Sequence, residues 1–360
     1  MINIYIYIYN ALLFFFCYGT KNNTLHLFFL VSSVMSMFLM LALRDPSLGT
    51  DYLGYISLYD HISGLGWGQL IELRYEPVFK YSVKAISNLL GAEGGIFILC
   101  SLLNIILIFA LYAIDKKLSF IACCQFSLIS FFLYYDIQYN ILRQGLSFSM
   151  FALGWGLLYQ RRLIVSLLVF AISIGFHTSA IIYILVSLTL YFLGGRLVNG
   201  KCIRLLLVLT GLNLIASYFS LFEIVARDLL SVLNISSYYQ SYLTDGIYGF
   251  NNGFRVDFVL LTLVPIFTSH YYIDTFNNKF SGLLAFNYIC SNVYLLFSWI
   301  AYSDRLLVFP WMMNVILIGK VISSDSNDKF VRYIILFFLL FSGLYSNSMN
   351  PNLILNLNLF

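Results

Sequence analysis

Four arginines stand where a polar segment of the sequence meets an apolar one. They are Arg44, Arg143, Arg255 and Arg305. A guanidinium offers a planar fork of N–H donors that suits a phosphate or a carboxylate, whereas a lysine offers a single charged point. Arginines at such boundaries also anchor helices at the surface of a bilayer. The four together favour binding of an anionic ligand, and the anchoring role stays open for each of them.

A polar stripe is predicted around the second of these arginines. Asn140, Arg143, Gln144 and Ser147 follow one another at steps of three, one and three residues, with apolar residues between them. This spacing predicts one face of a helix, turned toward a protein interior or a wet cavity and away from lipid. The stripe suits substrate binding, and a structural polar contact between helices is the alternative.

His177 lies in G-F-H-T-S-A, between two apolar half-segments. An ionisable group at a break in an apolar helix is a functional-site hypothesis by default. With an ordinary pKa near 6.5, histidine can accept a proton at neutral pH and serve as a general base. The alternative is a histidine that only orients the chain at the break.

Two acidic residues could share this chemistry. Asp51 lies in L-G-T-D-Y-L-G-Y, and Glu76 lies in R-Y-E-P-V-F. Each could orient a hydroxyl, stabilise a developing cation or pair with an arginine, and the sequence leaves these roles open. Each is also the next candidate base after His177. The chain has no H-x-x-x-H and no D-x-D pattern, so we expect neither a metal ion nor a cofactor.

The composition assigns these residues to a membrane protein. Of the 360 residues, 61% are hydrophobic and 10% are charged, and the mean hydropathy is +0.86. Soluble domains carry about 25% charged residues, so a water-soluble fold is excluded. The net charge of +4 is small, and we expect no nucleic-acid partner.

The apolar segments predict an all-α, polytopic protein with a single integral membrane domain over residues 1–360. A crossing needs about 20 apolar residues. The predicted spans are 2–18, 25–43, 95–114, 118–135, 141–159, 205–222, 257–273, 281–300, 306–322 and 331–346. The stretch 163–193 would be about 46 Å long as one helix, so a turn at Gly175–His177 should divide it into two short crossings. The total is about twelve.

The loops between these spans separate by charge. One side collects twelve basic and four acidic residues, a formal charge of +8, and the other carries −4. The positive-inside rule makes the first side cytoplasmic. Two long segments then face outward, 44–94 and 223–257, and the first contains a predicted amphipathic helix over 77–91. The four candidate arginines, the two candidate acids and His177 all belong to the outer side.

Several stretches together resemble the EpsG-type, Wzy-like polymerases of O-antigen and exopolysaccharide synthesis. They are R-x-x-x-x-G-T-D-Y-x-x-Y from Arg44 to Tyr55, Glu76-Pro77, N-x-x-R-Q from Asn140 to Gln144, F-H-x-S-A from Phe176 to Ala180, and S-D-R from Ser303 to Arg305. The resemblance runs over about residues 1–340. The sequence departs from the family's usual small residues, such as alanine, in the helix after Arg143-Gln144.

The resemblance implies a metal-independent glycosyltransferase of a bacterial inner membrane, with its active site facing the periplasm. It implies substrates carried on undecaprenyl pyrophosphate, whose oligosaccharide repeat units are joined into a surface polysaccharide. The expected catalytic residues are His177, Asp51 and Glu76, and the expected substrate-binding residues are Arg44, Asn140, Arg143, Gln144, Arg255 and Arg305. The bilayer, a chain-length regulator and a flippase are the expected partners. The alternatives are a lipid-linked oligosaccharide flippase and an O-antigen ligase or membrane acyltransferase.

Overall fold

The computed structural model describes residues 2–43, 51–197, 200–225, 254–272, 276–300, 303–324 and 329–348. These residues form α-helices and contain no β-strand. In chain order the helices are α1 Ile2–Cys17, α2 Asn23–Ala42, α3 Tyr52–Gly64, α4 Pro77–Ile114, α5 Leu118–Ile129, α6 Phe132–Tyr139, α7 Leu142–Tyr159, α8 Leu163–Phe176, α9 Ala180–Leu197, α10 Gly200–Tyr218, α11 Val256–Tyr271, α12 Asn278–Phe297, α13 Val308–Ile322 and α14 Lys329–Ser348. Short 3₁₀ turns lie at Gln69–Glu72 and Ser303–Leu306.

Helices long and apolar enough to cross a membrane support the all-α membrane class. In the part of the chain that the structure describes, five helices meet this criterion, or six if α5 and α6 form one bent span. Five further apolar helices have 10–17 residues. The chain is therefore a helical, multi-pass membrane protein, and a total of about twelve crossings stays a prediction.

The chain packs as two compact units. The first comprises residues Met1–Ile184 and Ile318–Phe360, and the second comprises Leu185–Leu317. In the second unit, α10 packs on α12 through hydrogen bonds from Asn213 to Asn292 and from Asn292 to Thr210, 2.6 and 2.8 Å long. Amide and hydroxyl groups thus join two apolar helices where lipid offers no alternative partner.

Helix α7 forms the centre of the first unit. It contacts α4, α6 and α8, and most of its side chains are buried, including Trp155 at 0% exposure. Its polar residues Gln144, Ser147 and Ser149 are buried as well. This enclosure by other helices explains how a helix with several polar residues fits a membrane domain.

The predicted span over 118–135 is not one straight helix, because the chain forms the helices α5 and α6 there. The chain bends by 78° between α5 and α6, where Phe131 adopts an extended backbone conformation. The carbonyls freed at the bend find partners: Tyr135 donates to Ile129 at 2.8 Å, and Ser342 donates to Ser130 at 3.0 Å. These tertiary hydrogen bonds stabilise the bend, and no local pattern predicted them.

The predicted break near His177 is confirmed. Helix α8 ends at Phe176, His177 has an extended backbone (φ −158°, ψ 125°), and α9 begins at Ala180. The predicted helix over 77–91 is also present. It forms the first part of α4, which is interrupted at Gly91, where φ is +70° and glycine is favoured because it has no side chain.

Candidate functional site

Three distant parts of the sequence meet around the carboxylate of Glu76. Its Oε2 accepts a hydrogen bond from Nη1 of Arg143 at 2.8 Å, and the two side chains form an ion pair. Its Oε1 accepts a longer hydrogen bond, 3.4 Å, from the backbone N–H of Thr178, next to His177. The start of α4, the start of α7 and the turn after α8 therefore lie together, and we call this cluster the acid–arginine site.

Close helix packing makes this meeting possible. Gly175, two residues before His177, lies against Val78 in the first turn of α4, where a Cβ would overlap the valine side chain. On α7, Ser147 donates to the carbonyl of Ser173 at 2.8 Å, and Ser173 donates back to the carbonyl of Ser147 at 2.7 Å. The small residues on α8 thus hold its end against both α4 and α7.

Aromatic rings surround the guanidinium of Arg143. Its carbon lies 5.3 Å from the ring centre of Tyr75 and 5.8 Å from that of Phe79, within cation–π range. The Arg143 side chain nevertheless keeps 30% of its surface exposed, against 10% for Glu76. A guanidinium has five N–H donors, so the exposed edge can bind a further anion while one side stays on Glu76.

Tyr55 joins a fourth part of the sequence to the site. Its hydroxyl donates to the backbone carbonyl of Asn140 at 3.3 Å and lies beside Arg143. Burial raises the pKa of Tyr55 to about 12, although the neighbouring Arg143 acts in the opposite direction. The phenol therefore stays protonated at neutral pH and can donate a hydrogen bond. Asp51 precedes α3 and contributes to the electrostatic environment of Tyr55.

Two buried lysines support the start of α4. Nζ of Lys80 donates to the carbonyls of Leu73 and Ile71 at 3.0 and 3.4 Å, and Nζ of Lys84 donates to the carbonyl of Ser63 at 2.7 Å. These hydrogen bonds hold the segment that precedes Glu76 against α4. Sequence reasoning assigned them only to an amphipathic helix, and their buried hydrogen bonds could not be inferred from spacing.

The ring of His177 is held on one side. Nδ1 lies 2.8 Å from the hydroxyl of Ser179 and 3.3 Å from the backbone N–H of the same residue. Ser179 therefore contacts the Nδ1 side of the ring and not the Nε2 side. The backbone N–H of Ser179 donates to Nδ1, so in this arrangement the ring proton is on Nε2. Nε2 can accept a proton in the other tautomer, in which Nδ1–H donates to the Ser179 hydroxyl. The carbonyl of His177 faces Ser147 of α7 at 3.5 Å.

The prediction of one helical face from Asn140 to Ser147 is wrong. Asn140 follows the last residue of α6, whereas α7 begins at Leu142, so the chain turns between Asn140 and Arg143. The Asn140 side chain bonds Asp136 instead. Gln144 is buried, and its Oε1 has no hydrogen-bond partner in the described structure. The contact of Asp136 with Asn140 was missed, because the sequence predicted a loop where α6 lies.

The other three candidate arginines belong to other parts of the chain. In the second unit, Arg255 precedes α11, where it pairs with Asp257 and stacks on Phe258 at 3.8 Å. Arg305, in the 3₁₀ turn of the same unit, is exposed. Arg44 lies outside the described residues. Among the described residues no three His, Cys, Asp or Glu side chains are grouped closely enough to hold a metal ion.

A known protein family matches most of the chain. The model of the EpsG family matches residues 26–358. The chain belongs to the EpsG family. Membership of the EpsG family indicates a multi-pass membrane protein of the Wzy-like polysaccharide polymerase type. The matched region includes Tyr55, Glu76, Arg143 and His177, which the fold brings into one site. Neither a curated protein nor a solved structure matches the chain.

Proposed function

We propose that the chain joins oligosaccharide repeat units, carried on undecaprenyl pyrophosphate, into a surface polysaccharide on the periplasmic side of the inner membrane. The observation that carries this proposal is the meeting of Glu76, Arg143 and the His177 turn at one end of α4, α7 and α8. Two lipid-linked substrates have their diphosphates at the membrane surface, where this end of the helices would meet them.

The reaction transfers the growing glycan from its lipid diphosphate to a hydroxyl of a fresh lipid-linked unit. The hydroxyl oxygen forms a bond to the anomeric carbon, and the bond from that carbon to the diphosphate oxygen breaks. Nε2 of His177 takes the hydroxyl proton, and the leaving diphosphate takes the bonding electrons. The exposed edge of Arg143 stabilises the negative charge that develops there.

Glu76 has a positioning role in this proposal. Both carboxylate oxygens of Glu76 accept hydrogen bonds, one from Arg143 and one from Thr178, so the geometry favours orientation over base catalysis. Its second oxygen holds the Thr178 amide and thereby the turn that carries His177. Asp51 is the alternative base. Arg44, Asn140, Gln144, Arg255 and Arg305 are proposed to bind the same lipid-linked substrates.

The genetic test compares the surface polysaccharide of cells with and without the gene by electrophoresis. A lost polymerase leaves single repeat units, transferred without a ladder of longer chains. Complete loss of transferred repeat units would indicate a flippase or a ligase and would overturn the proposal. Expression of the wild-type chain should restore the ladder, and expression of Arg143→Lys should restore it poorly while the protein level is unchanged.

A further inference from the structure

A second site lies at the other end of the first unit. Helices α4 and α7 both begin at the acid–arginine site, and at their far ends Gln160 donates to the carbonyl of Ala113 at 2.8 Å. Residues 92–114 alone cover about 34 Å along the helix, which is comparable to the thickness of a bilayer core. At this far end a pocket of about 910 Å³ opens beside Tyr112 and Lys116.

The lining of this pocket is strongly basic. Its cationic residues are Lys21, Lys116, Lys117, Lys329 and Arg332, and no acidic residue is found among the described residues that line it. The nearby carboxylate of Asp115 pairs with Lys320 at 3.3 Å. Asp325 and Asp328 belong to a segment outside the described residues. Five positive charges around one cavity favour an anionic ligand.

One buried polar atom at the pocket has no hydrogen-bond partner in the described structure. His26 is 5% exposed and lines the pocket, and its buried Nδ1 has no hydrogen-bond partner in the described structure. A buried polar atom without a partner is unfavourable, so a ligand or water is expected there. Helix α5 begins at the pocket without a side-chain cap, which leaves backbone N–H groups near Leu118 and Ser119 as donors.

Apolar surface leads away from the pocket along two helices. On α4, Tyr112, Phe109 and Ile105 are exposed at helical spacing. On α14, the exposed residues Phe330, Ile334, Phe337 and Phe341 follow the same spacing. A ligand with a phosphate in the pocket and hydrocarbon chains on these surfaces would satisfy both features. A free anion would bind in the basic pocket but would make no contact with the apolar surfaces.

We propose that this pocket binds the headgroup phosphate of an anionic phospholipid from the leaflet on the Lys/Arg-rich side of the membrane. Four exposed lysines give the main attraction, namely Lys21, Lys116, Lys117 and Lys329. Arg332 is held by its bond to the Ser324 carbonyl, 2.8 Å long, and forms part of the pocket wall. The site is separate from the acid–arginine site and independent of the reaction proposed there.

The test is native mass spectrometry of the purified full-length protein with phosphatidylglycerol or phosphatidylcholine. The variant Lys116→Gln/Lys117→Gln/Lys329→Gln removes three charges from the pocket without touching buried residues. The control Arg162→Gln/Lys201→Gln/Arg204→Gln removes three exposed charges of the same basic side that do not line the pocket. Because each basic residue near an anionic headgroup adds to the attraction, the pocket variant should bind phosphatidylglycerol at least about tenfold more weakly.

The wild-type protein and the control variant should retain phosphatidylglycerol in preference to phosphatidylcholine. Equal weakening of phosphatidylglycerol binding in both variants would show that the effect depends on the overall charge of the protein. This result would overturn the proposal. Unchanged binding by the pocket variant would do the same. Displacement of phosphatidylglycerol by inorganic phosphate at equal concentration would assign the pocket to a free anion and would overturn the assignment to a lipid.

Discussion

At the scale of single residues, the ion pair between Glu76 and Arg143 is the central feature of the candidate site. The sequence left several roles open for Glu76, among them a base and an ion-pair partner, because spacing cannot show which residues far apart in the chain come together. The structure places their charged atoms 2.8 Å apart and links the same carboxylate to the turn beside His177. The pairing thus favours an organising role for Glu76.

Glu76→Gln tests this role. The amide keeps the shape of the side chain but loses the charge that orients Arg143, so glycan elongation should fall on the order of 10²-fold. Glu72→Gln is the matched control, because Glu72 is an exposed carboxylate four residues earlier. The control should keep the wild-type rate. Full activity of the Glu76→Gln variant in an elongation assay would remove the ion pair from the mechanism.

His177→Gln separates proton transfer from orientation. Glutamine retains hydrogen bonding but cannot take the hydroxyl proton, and general-base catalysis contributes about 10²–10⁴-fold in rate. The single-turnover rate should therefore fall by that order, and its pH dependence near neutrality should disappear. His177→Ala should be equally slow while still binding lipid-linked substrate. A glutamine variant with the wild-type rate and pH profile would make Asp51 the next candidate base.

At the scale of helices, a break with a local sequence signal was easier to predict than a break that depends on tertiary contacts. The excess length of segment 163–193 and its Gly-Phe-His sequence predicted the break before α9, because both signals are local. The turn between Asn140 and Leu142 and the 78° bend at Phe131 were missed. Both depend on hydrogen bonds to groups distant in sequence, such as Ser342 for the bend and Tyr55 for the Asn140 carbonyl.

Gly175→Val tests the packing of α8 on α4. A branched side chain at this position would collide with Val78 and push the His177 turn away from Glu76. Overpacking of this kind costs about 1–3 kcal/mol, so both thermal stability and activity should decrease. Gly211→Ala is the control: an added Cβ meets nothing within 4 Å there, and alanine should stabilise α10 by about 0.5–1 kcal/mol. If Gly175→Val kept the wild-type activity, the close contact of Gly175 with Val78 would not be required for the function of the site.

At the scale of the whole molecule, composition and charge were sufficient to predict the class of protein. The high hydropathy predicted a helical membrane protein, and the motifs predicted the family that the chain matches. The convergence of Tyr55, Glu76, Arg143 and the His177 turn could not be derived, because it depends on how α3, α4, α7 and α8 pack. The motif order along the chain gave only an indication that these residues act together.

The orientation can be checked by cysteine labelling in a Cys202→Ser background. Ser57→Cys lies on the exposed surface of α3, and Arg162→Cys lies at the start of α8 on the Lys/Arg-rich side. Because the basic side should be cytoplasmic, an impermeant maleimide should label Ser57→Cys in intact spheroplasts and should label Arg162→Cys only after permeabilisation. Labelling of Arg162→Cys in intact spheroplasts would reverse the orientation.

The most direct test of the proposed reaction is a single-turnover measurement with purified protein and defined lipid-linked repeat units. The wild-type chain should form a product with two repeat units on one lipid and release one equivalent of undecaprenyl pyrophosphate. Arg143→Lys keeps the charge but loses the planar fork of donors, so its rate should fall on the order of 10²-fold. Failure of the wild-type protein to join the units, or an unchanged rate for Arg143→Lys, would contradict the account.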